Sequence, residues 1–305
     1  MELNDADLGA LTMQAGAIAE RAGAHVMGYF DQELEVSYKS DGNAIASQVV
    51  TRADHESQSL IEAALQPLSQ QYDFGFLGEE TPDDHSRFKK DYFWCVDPLD
   101  GTLAYTEKKK GFAVSIGLIR RDGKGVLGAI YDPYEQRLFT SYMEGEAVVK
   151  SMRQGEAQGK QGDPNTNSDE LHWYMDRSMK QSVHFQQLHG FVEKIAADSG
   201  CHSLKIVDYF GAVMNACSVW GDPNALYFKL PKKEPGGGCL WDFAATSCLF
   251  EVGSRPVSSI SGGALDLNPK QGVFMNEQGV IFCGSHDLAN RLKSVLNQAS
   301  LFPPR

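Results

Sequence analysis

One run of ten residues constrains this chain more than any other. Phe93-Trp94-Cys95-Val96 is apolar throughout, as a buried strand is, and it passes directly into Asp97-Pro98-Leu99-Asp100-Gly101-Thr102. The D-P-x-D order suits a type I turn with Pro98 at its second position, which would bring residues 97 and 100 within about 7 Å. Both carboxylates can then face one point. Two hard oxygen ligands so placed suit Mg²⁺, with the Leu99 carbonyl between them as a further donor. If Gly101-Thr102 opens a helix, its free N–H groups face a bound phosphate. The same hexapeptide can also be an ordinary turn closed by an aspartate cap. A D-x-D-G-T motif, whose first Asp is a phosphorylated nucleophile, is the nearest competitor. It has one residue between its aspartates where this chain has two, and here the motif lies mid-chain.

The pattern around the motif predicts its setting. Leu8, Leu11, Ala15, Ile18, Ala22, Val26 and Phe30 recur at three- and four-residue steps, giving an amphipathic helix over about residues 5–30. A second helix is expected from Ala53-Asp54, with Leu60, Ile61, Ala64, Leu65 and Leu68 facing inward, followed by the short apolar run Phe74–Leu77. Beyond the motif, Phe112–Ile119 and Val126–Tyr131 flank a glycine-bearing turn, and Arg137–Tyr142 and Glu146–Lys150 complete an antiparallel meander. Residues 151–170 hold almost no large apolar side chain and read as a domain connection or a mobile loop. Alternation then resumes: a strand near Trp173, a helix carrying Phe185, Leu188, Val192 and Ile195, a strand at 203–208, a helix at 211–220, a strand at 225–230 and a helix opening at Asp242. Short strands and turns are predicted for 254–290. This gives a subdomain at 1–150, a connection at 151–170 and a second subdomain at 171–305.

Composition narrows the function. With 305 residues, 42% of them hydrophobic, the chain can bury a sizeable core. Its net charge of -12 and the shortness of the main basic run, Lys108-Lys109-Lys110, argue against nucleic acid as a partner. An acidic protein can still act on phosphates, because divalent cations held by its acids become the anion site. The six cysteines form no C-x-x-C pair and read as reduced core residues. The N-terminus lacks a basic stretch followed by an apolar one, and no apolar run approaches the ~18 residues of a membrane span. A cytoplasmic location without membrane partners is expected.

Three further segments matter: Val50-Thr51-Arg52-Ala53-Asp54, Gly78-Glu79-Glu80 and Trp241-Asp242-Phe243-Ala244-Ala245. Taken singly, each has an ordinary explanation as a helix cap or a solvated acidic loop. In this order, with Asp97–Thr102, they resemble the signature of the inositol monophosphatase superfamily over about residues 39–290. The resemblance implies an α/β fold, a layered α-β-α-β-α sandwich of two subdomains, that usually forms a homodimer with a metal site between the subdomains. It implies a lithium-sensitive phosphomonoesterase carrying two or three Mg²⁺. Glu79, Asp97, Asp100, Asp242 and the Leu99 carbonyl match the metal ligands. Asp54 and Thr102 match the pair that orients and activates water. Gly101 and Thr102 match the phosphate cradle, and Gly211-Ala212 match a small-residue turn beside the substrate.

The resemblance thins in places. Ala104 stands where the family usually has Asn or Glu, Thr246 where Gly follows the alanine pair, and Pro231–Gly238 is an extended loop expected near the substrate. Phe112–Ile116 and Asp132-Pro133-x-x-Gln136 resemble the inositol monophosphatase branch, whereas Arg177-Ser178 resembles the 3′(2′),5′-bisphosphate nucleotidase branch. Lys229 falls where the former carries a Glu and the latter often a basic residue. A cation there suits a second substrate phosphate, or else Lys229 is a surface lysine. An inositol-monophosphate-type substrate stands first, a nucleotide 3′-phosphate second, and a non-catalytic metal-binding role last.

Overall fold

A computed structural model describes residues 2–30, 36–38, 49–145, 147–151 and 169–298. The first half contains α1 (Asp5–Phe30), a small ribbon of β1 (Val36–Tyr38) and β2 (Val49–Thr51), then α2 (Arg52–Tyr72), β3 (Gly75–Gly78), β4 (Tyr92–Asp100) and the five-residue α3 (Thr102–Thr106). The meander follows as β5 (Ala113–Arg120), β6 (Gly125–Asp132), β7 (Arg137–Tyr142) and β8 (Val148–Ser151). The second half supplies β9 (Glu170–Tyr174), α4 (Phe185–Asp198), β10 (Ser203–Val207), α5 (Ala212–Trp220) and β11 (Ala225–Lys229). It closes with α6 (Leu240–Val252), β12 (Val257–Ser258), β13 (Val280–Cys283) and α7 (His286–Gln298).

Strands 3 to 8 form a six-stranded sheet in sequence order, parallel only between β3 and β4. The second sheet runs β10-β9-β11-β13-β12. The two-residue period of each strand divides its side chains between layers. In β4, Trp94 and Val96 join α1 and α2 on the outer face, while Phe93 and Cys95 face the centre with α5 and α6. In β11, Ala225 and Tyr227 belong to that same central core, whereas Leu226 and Phe228 meet α4 and α7 on the far side. Five layers result: helices, sheet, helices, sheet, helices. The central strands β4, β5, β6 and β11 are apolar on almost their whole length because each is covered on two faces.

Glycines set how closely the central layer approaches the first sheet. A Cβ on Gly117 would lie 2.8 Å from the Ala244 methyl, and one on Gly128 would lie 2.5 Å from the Ala245 carbonyl oxygen. The alanine pair of α6 and the glycines of β5 and β6 are therefore one packing device. Thr246 fits the next position because its hydroxyl turns back to the Phe243 carbonyl at 3.3 Å.

The tail differs from expectation. It contains strands and turns as far as Cys283, but α7 follows, with Leu288, Ala289, Leu292 and Leu296 buried against the second sheet. Most of the expected connection, residues 152–168, lies outside the described residues. All six cysteines are free. Among the described residues no helix is long and apolar enough to cross a membrane.

Candidate metal centre

The end of β4 does not form the expected type I turn. The strand continues to Asp100 and takes up one extra residue: Asp97 pairs with Ser115 and Asp100 with Ala113. That bulge changes which way the side chains point. In a regular strand, residues three apart face opposite sides; one inserted residue puts them on the same side. Pro98 is tolerated there because a bulged residue gives up no ladder hydrogen bond. The Asp97 carboxylate accepts the Leu99 N–H at 3.0 Å, and the Ser57 hydroxyl of α2 donates to the Pro98 carbonyl at 3.0 Å. Gly101 then turns the chain into α3 at φ 84°, a left-handed conformation that suits glycine.

The second half of the chain clamps this corner. Asp100 accepts the N–H of Ala212 and of Val213, each at 2.9 Å, so both of its oxygens rest on the first turn of α5. A side chain at Gly211 would collide with the Asp100 carboxylate, which is why a small residue sits there. Asp242 lies within the first turn of α6, not ahead of it, and reaches back to the Cys239 N–H at 2.9 Å. It caps its helix and still faces the other acids. Oxygens of Asp97, Asp100 and Asp242 lie within 4.8 Å of one another.

Two buried carboxylates and a half-buried third cannot all hold charge there unaided. Burial raises the Asp97 carboxyl well above the usual carboxylate range, helped by the charges of Glu79, Asp100, Asp242 and Asp54. Burial and Asp242 raise Asp100, against the pull of the α5 amides and Lys229. Burial also raises Asp242, with Lys229 the largest opposing influence. A donor set made only of oxygens, its carboxyls pushed up by burial and by one another, fits a hard divalent cation, which would offset both.

The other expected site residues gather around this trio. Glu79 follows β3 and donates its N–H to the Val96 carbonyl at 3.2 Å, which places it beside the strand that carries Asp97. Asp54 is buried in the first turn of α2, close enough for its charge to act on Asp97. The Thr102 hydroxyl donates to the Leu99 carbonyl at 3.3 Å, leaving that oxygen a second lone pair. Asp132 and Gln136 belong to the β6–β7 turn, where Asp132 binds the Glu135 N–H at 3.0 Å and the Arg137 guanidinium at 2.8 Å.

Lys229 is not a surface lysine. It is 8% exposed at the end of β11 and pairs with Asp176 at 2.8 Å. Burial works to lower its pKa, but Asp176, Asp242 and Asp100 outweigh burial and raise it. Asp176 is a residue that sequence reasoning missed, as are Ser57 and Gln58, whose side-chain oxygen accepts the Glu80 N–H at 2.8 Å. Ser57 and Gln58 sit one turn after Asp54 in α2, and that helical spacing was the available signal. Asp176 had none, because its partner lies far along the chain.

A model described as the inositol monophosphatase family matches residues 7–300. An inositol-1-monophosphatase of Bacillus subtilis is 29% identical over 121 residues, 40% of this chain and 43% of that protein. The 3′(2′),5′-bisphosphate nucleotidase CysQ of Shigella flexneri is 32% identical over 137 residues, 44% of this chain and 52% of its own length. These curated relatives are thus matched over about half their length or less. Among solved structures, an IMPase of Thermotoga maritima superposes with a TM-score of 0.69 at 18% identity, covering 95% of this chain and 97% of its own.

Proposed function

Because this chain belongs to the inositol monophosphatase family, we propose that it is a Mg²⁺-dependent, lithium-sensitive phosphomonoesterase acting on a small phosphorylated substrate. The observation that carries this reading is the convergence of Asp97, Asp100 and Asp242 within 4.8 Å at the end of a buried strand. With Glu79 and the Leu99 carbonyl they would hold the metal. Bound there, Mg²⁺ would supply positive charge for the phosphoryl oxygens and would acidify a water molecule. The chain's own residues do the rest. Asp54 would accept the proton that the attacking water gives up to Thr102, once the Thr102 hydroxyl turns from the Leu99 carbonyl toward Asp54, so that hydroxide is directed at phosphorus. Gly101 and Thr102 cradle the phosphate with backbone N–H groups. Gly211 and Ala212 leave room for the substrate because their backbone is drawn tight against Asp100. Residues before 150 supply most ligands and residues after 171 supply Asp242, so the pocket would be completed only when the two halves meet.

An inositol-monophosphate-type substrate is the first reading. A nucleotide 3′-phosphate is the second, favoured by the likeness to the Shigella nucleotidase over 137 residues. The test is phosphate release with Mg²⁺ from inositol-1-phosphate, adenosine 3′,5′-bisphosphate, histidinol phosphate and fructose-1,6-bisphosphate. Release from at least one substrate, abolished by EDTA, is expected. Equal release without any metal would overturn the reading.

A further inference from the structure

Arg87 lies in the polar stretch between Glu79 and Tyr92, where an arginine ordinarily reaches solvent, yet it is 1% exposed. Burying a guanidinium is costly unless its donors are met. Here all three nitrogens donate. Nε meets Asp83 at 2.7 Å, Nη1 meets the Asn268 side-chain oxygen at 2.7 Å and the Pro269 carbonyl at 3.0 Å, and Nη2 meets the Gly272 carbonyl at 3.0 Å. Asn268 returns the contact, donating to the Arg87 carbonyl at 3.2 Å and to the Arg121 carbonyl at 2.8 Å. One side chain from the first half of the chain is thus tied at three points to residues 268–272 of the second.

Each end of this tie leads to an acid of the metal centre. On the near side Ser86 fixes Arg87 to β3. Its hydroxyl accepts the Phe76 N–H at 3.1 Å, and a Cβ on Gly75 would stand 2.8 Å from that oxygen. β3 ends at Gly78, and Glu79 follows it. On the far side, the residues after Gly272 pair with the entry to α6. The Val273 carbonyl accepts the Leu240 N–H at 2.9 Å, Cys239 forms a backbone bridge with Phe274, and the Met275 N–H donates to the Gly238 carbonyl at 2.9 Å. Leu240 begins α6, and Asp242 is in its first turn. Glu79 and Asp242 come from different halves of the chain, and Arg87 spans the segments that carry them.

Stability alone does not call for an arginine here, because a buried ion pair adds little over well-packed apolar residues. What the guanidinium adds is direction: a planar fork with donors at fixed angles, its carbon centre 4.0 Å from the middle of the Phe88 ring. We propose that Arg87 is a positioning residue for the metal centre, setting where Asp242 stands relative to Glu79 and so how well the acids fit Mg²⁺. The inference rests on reading those acids as a Mg²⁺ site. Arg87 acts through the backbone of residues 268–275.

The test is calorimetric titration with Mg²⁺ alone, on protein that circular dichroism shows to be folded. Arg87→Lys keeps the charge but offers one nitrogen where Arg87 uses three, and it should weaken Mg²⁺ binding by about tenfold or more. Asn268→Ala removes one of the three acceptors on 268–272. It should weaken binding in the same direction, and it carries the test if Arg87→Lys does not fold. Leu292→Ala opens a cavity under α7, on the far side of the second sheet, and should lower the urea midpoint without changing Mg²⁺ affinity. Wild-type affinity in either folded variant of the tie, or an equal loss in Leu292→Ala, overturns the inference and leaves the phosphatase reading standing. No Mg²⁺ binding by the wild type overturns both.

Discussion

Asp97, Asp100 and Asp242 each have a structural partner as well as a place in the trio: the Leu99 amide, the start of α5 and the Cys239 amide. Asparagine keeps an oxygen for those amides and removes the charge. Asp97→Asn and Asp242→Asn should therefore stay folded, as judged by unchanged far-UV circular dichroism, and lose at least about a hundredfold in kcat. A folded variant with near wild-type turnover would remove that aspartate from the metal site. Thr102 tests a different role. Its hydroxyl is proposed to act on water and bonds the Leu99 carbonyl, not a carboxylate, so Thr102→Ala should lower kcat far more than it weakens Mg²⁺ binding. Calorimetric titration of Mg²⁺ beside kinetics separates the two, and a parallel loss in both would contradict the assigned role.

The packing of α6 on the first sheet is an element-scale property with its own test. The Cβ of Gly128→Ala would press on the Ala245 carbonyl oxygen at 2.5 Å, and backbone cannot step aside as a flexible side chain can. Overpacking of this kind costs about 1–3 kcal/mol, readable as a lower urea midpoint with an unchanged slope. A shift too small to measure would mean the helix can move off the sheet freely. The second sheet offers a pH-dependent element. His172 on β9 meets Asp222 at 2.6 Å in the approach to β11. That hydrogen bond is the main cause raising the His172 pKa above 6.5. The stabilisation is therefore complete below 6.5 and is lost as pH rises through the raised folded value. Urea melts of wild type and His172→Gln should differ most near pH 6 and converge by pH 9. A gap that widened with pH would reverse the sign of the argument.

At the scale of the whole molecule, the acids that β4 and α6 bring together cannot all ionise until a cation joins them. Mg²⁺ should therefore raise the melting temperature in proportion to the logarithm of its concentration above saturation, independently of any substrate. EDTA should remove that increment and the activity together, with Mn²⁺ restoring part of both. A melting temperature indifferent to Mg²⁺ would mean the trio holds no metal.

Periodicity wrote the helices and strands plainly, because alternation of two and spacing of three to four are local properties of the chain. α1, α2, the meander and the Asp97–Thr102 motif could be read without coordinates, and so could the acids that converge. The helical spacing of Leu288, Ala289, Leu292 and Leu296 was equally local, though polar residues between them left the tail looking like turns. Three things depended on the tertiary structure. The extra residue in β4 shows only against the register of β5. The pairing of Lys229 with Asp176 joins the ends of two neighbouring strands, which transforms a lysine of ambiguous use into a buried, neutralised one. The fork of Arg87 joins the segment after β3 to Asn268, 181 residues further on. Local pattern sets which face a residue takes; which distant charge it meets is set by how sheets and helices stack.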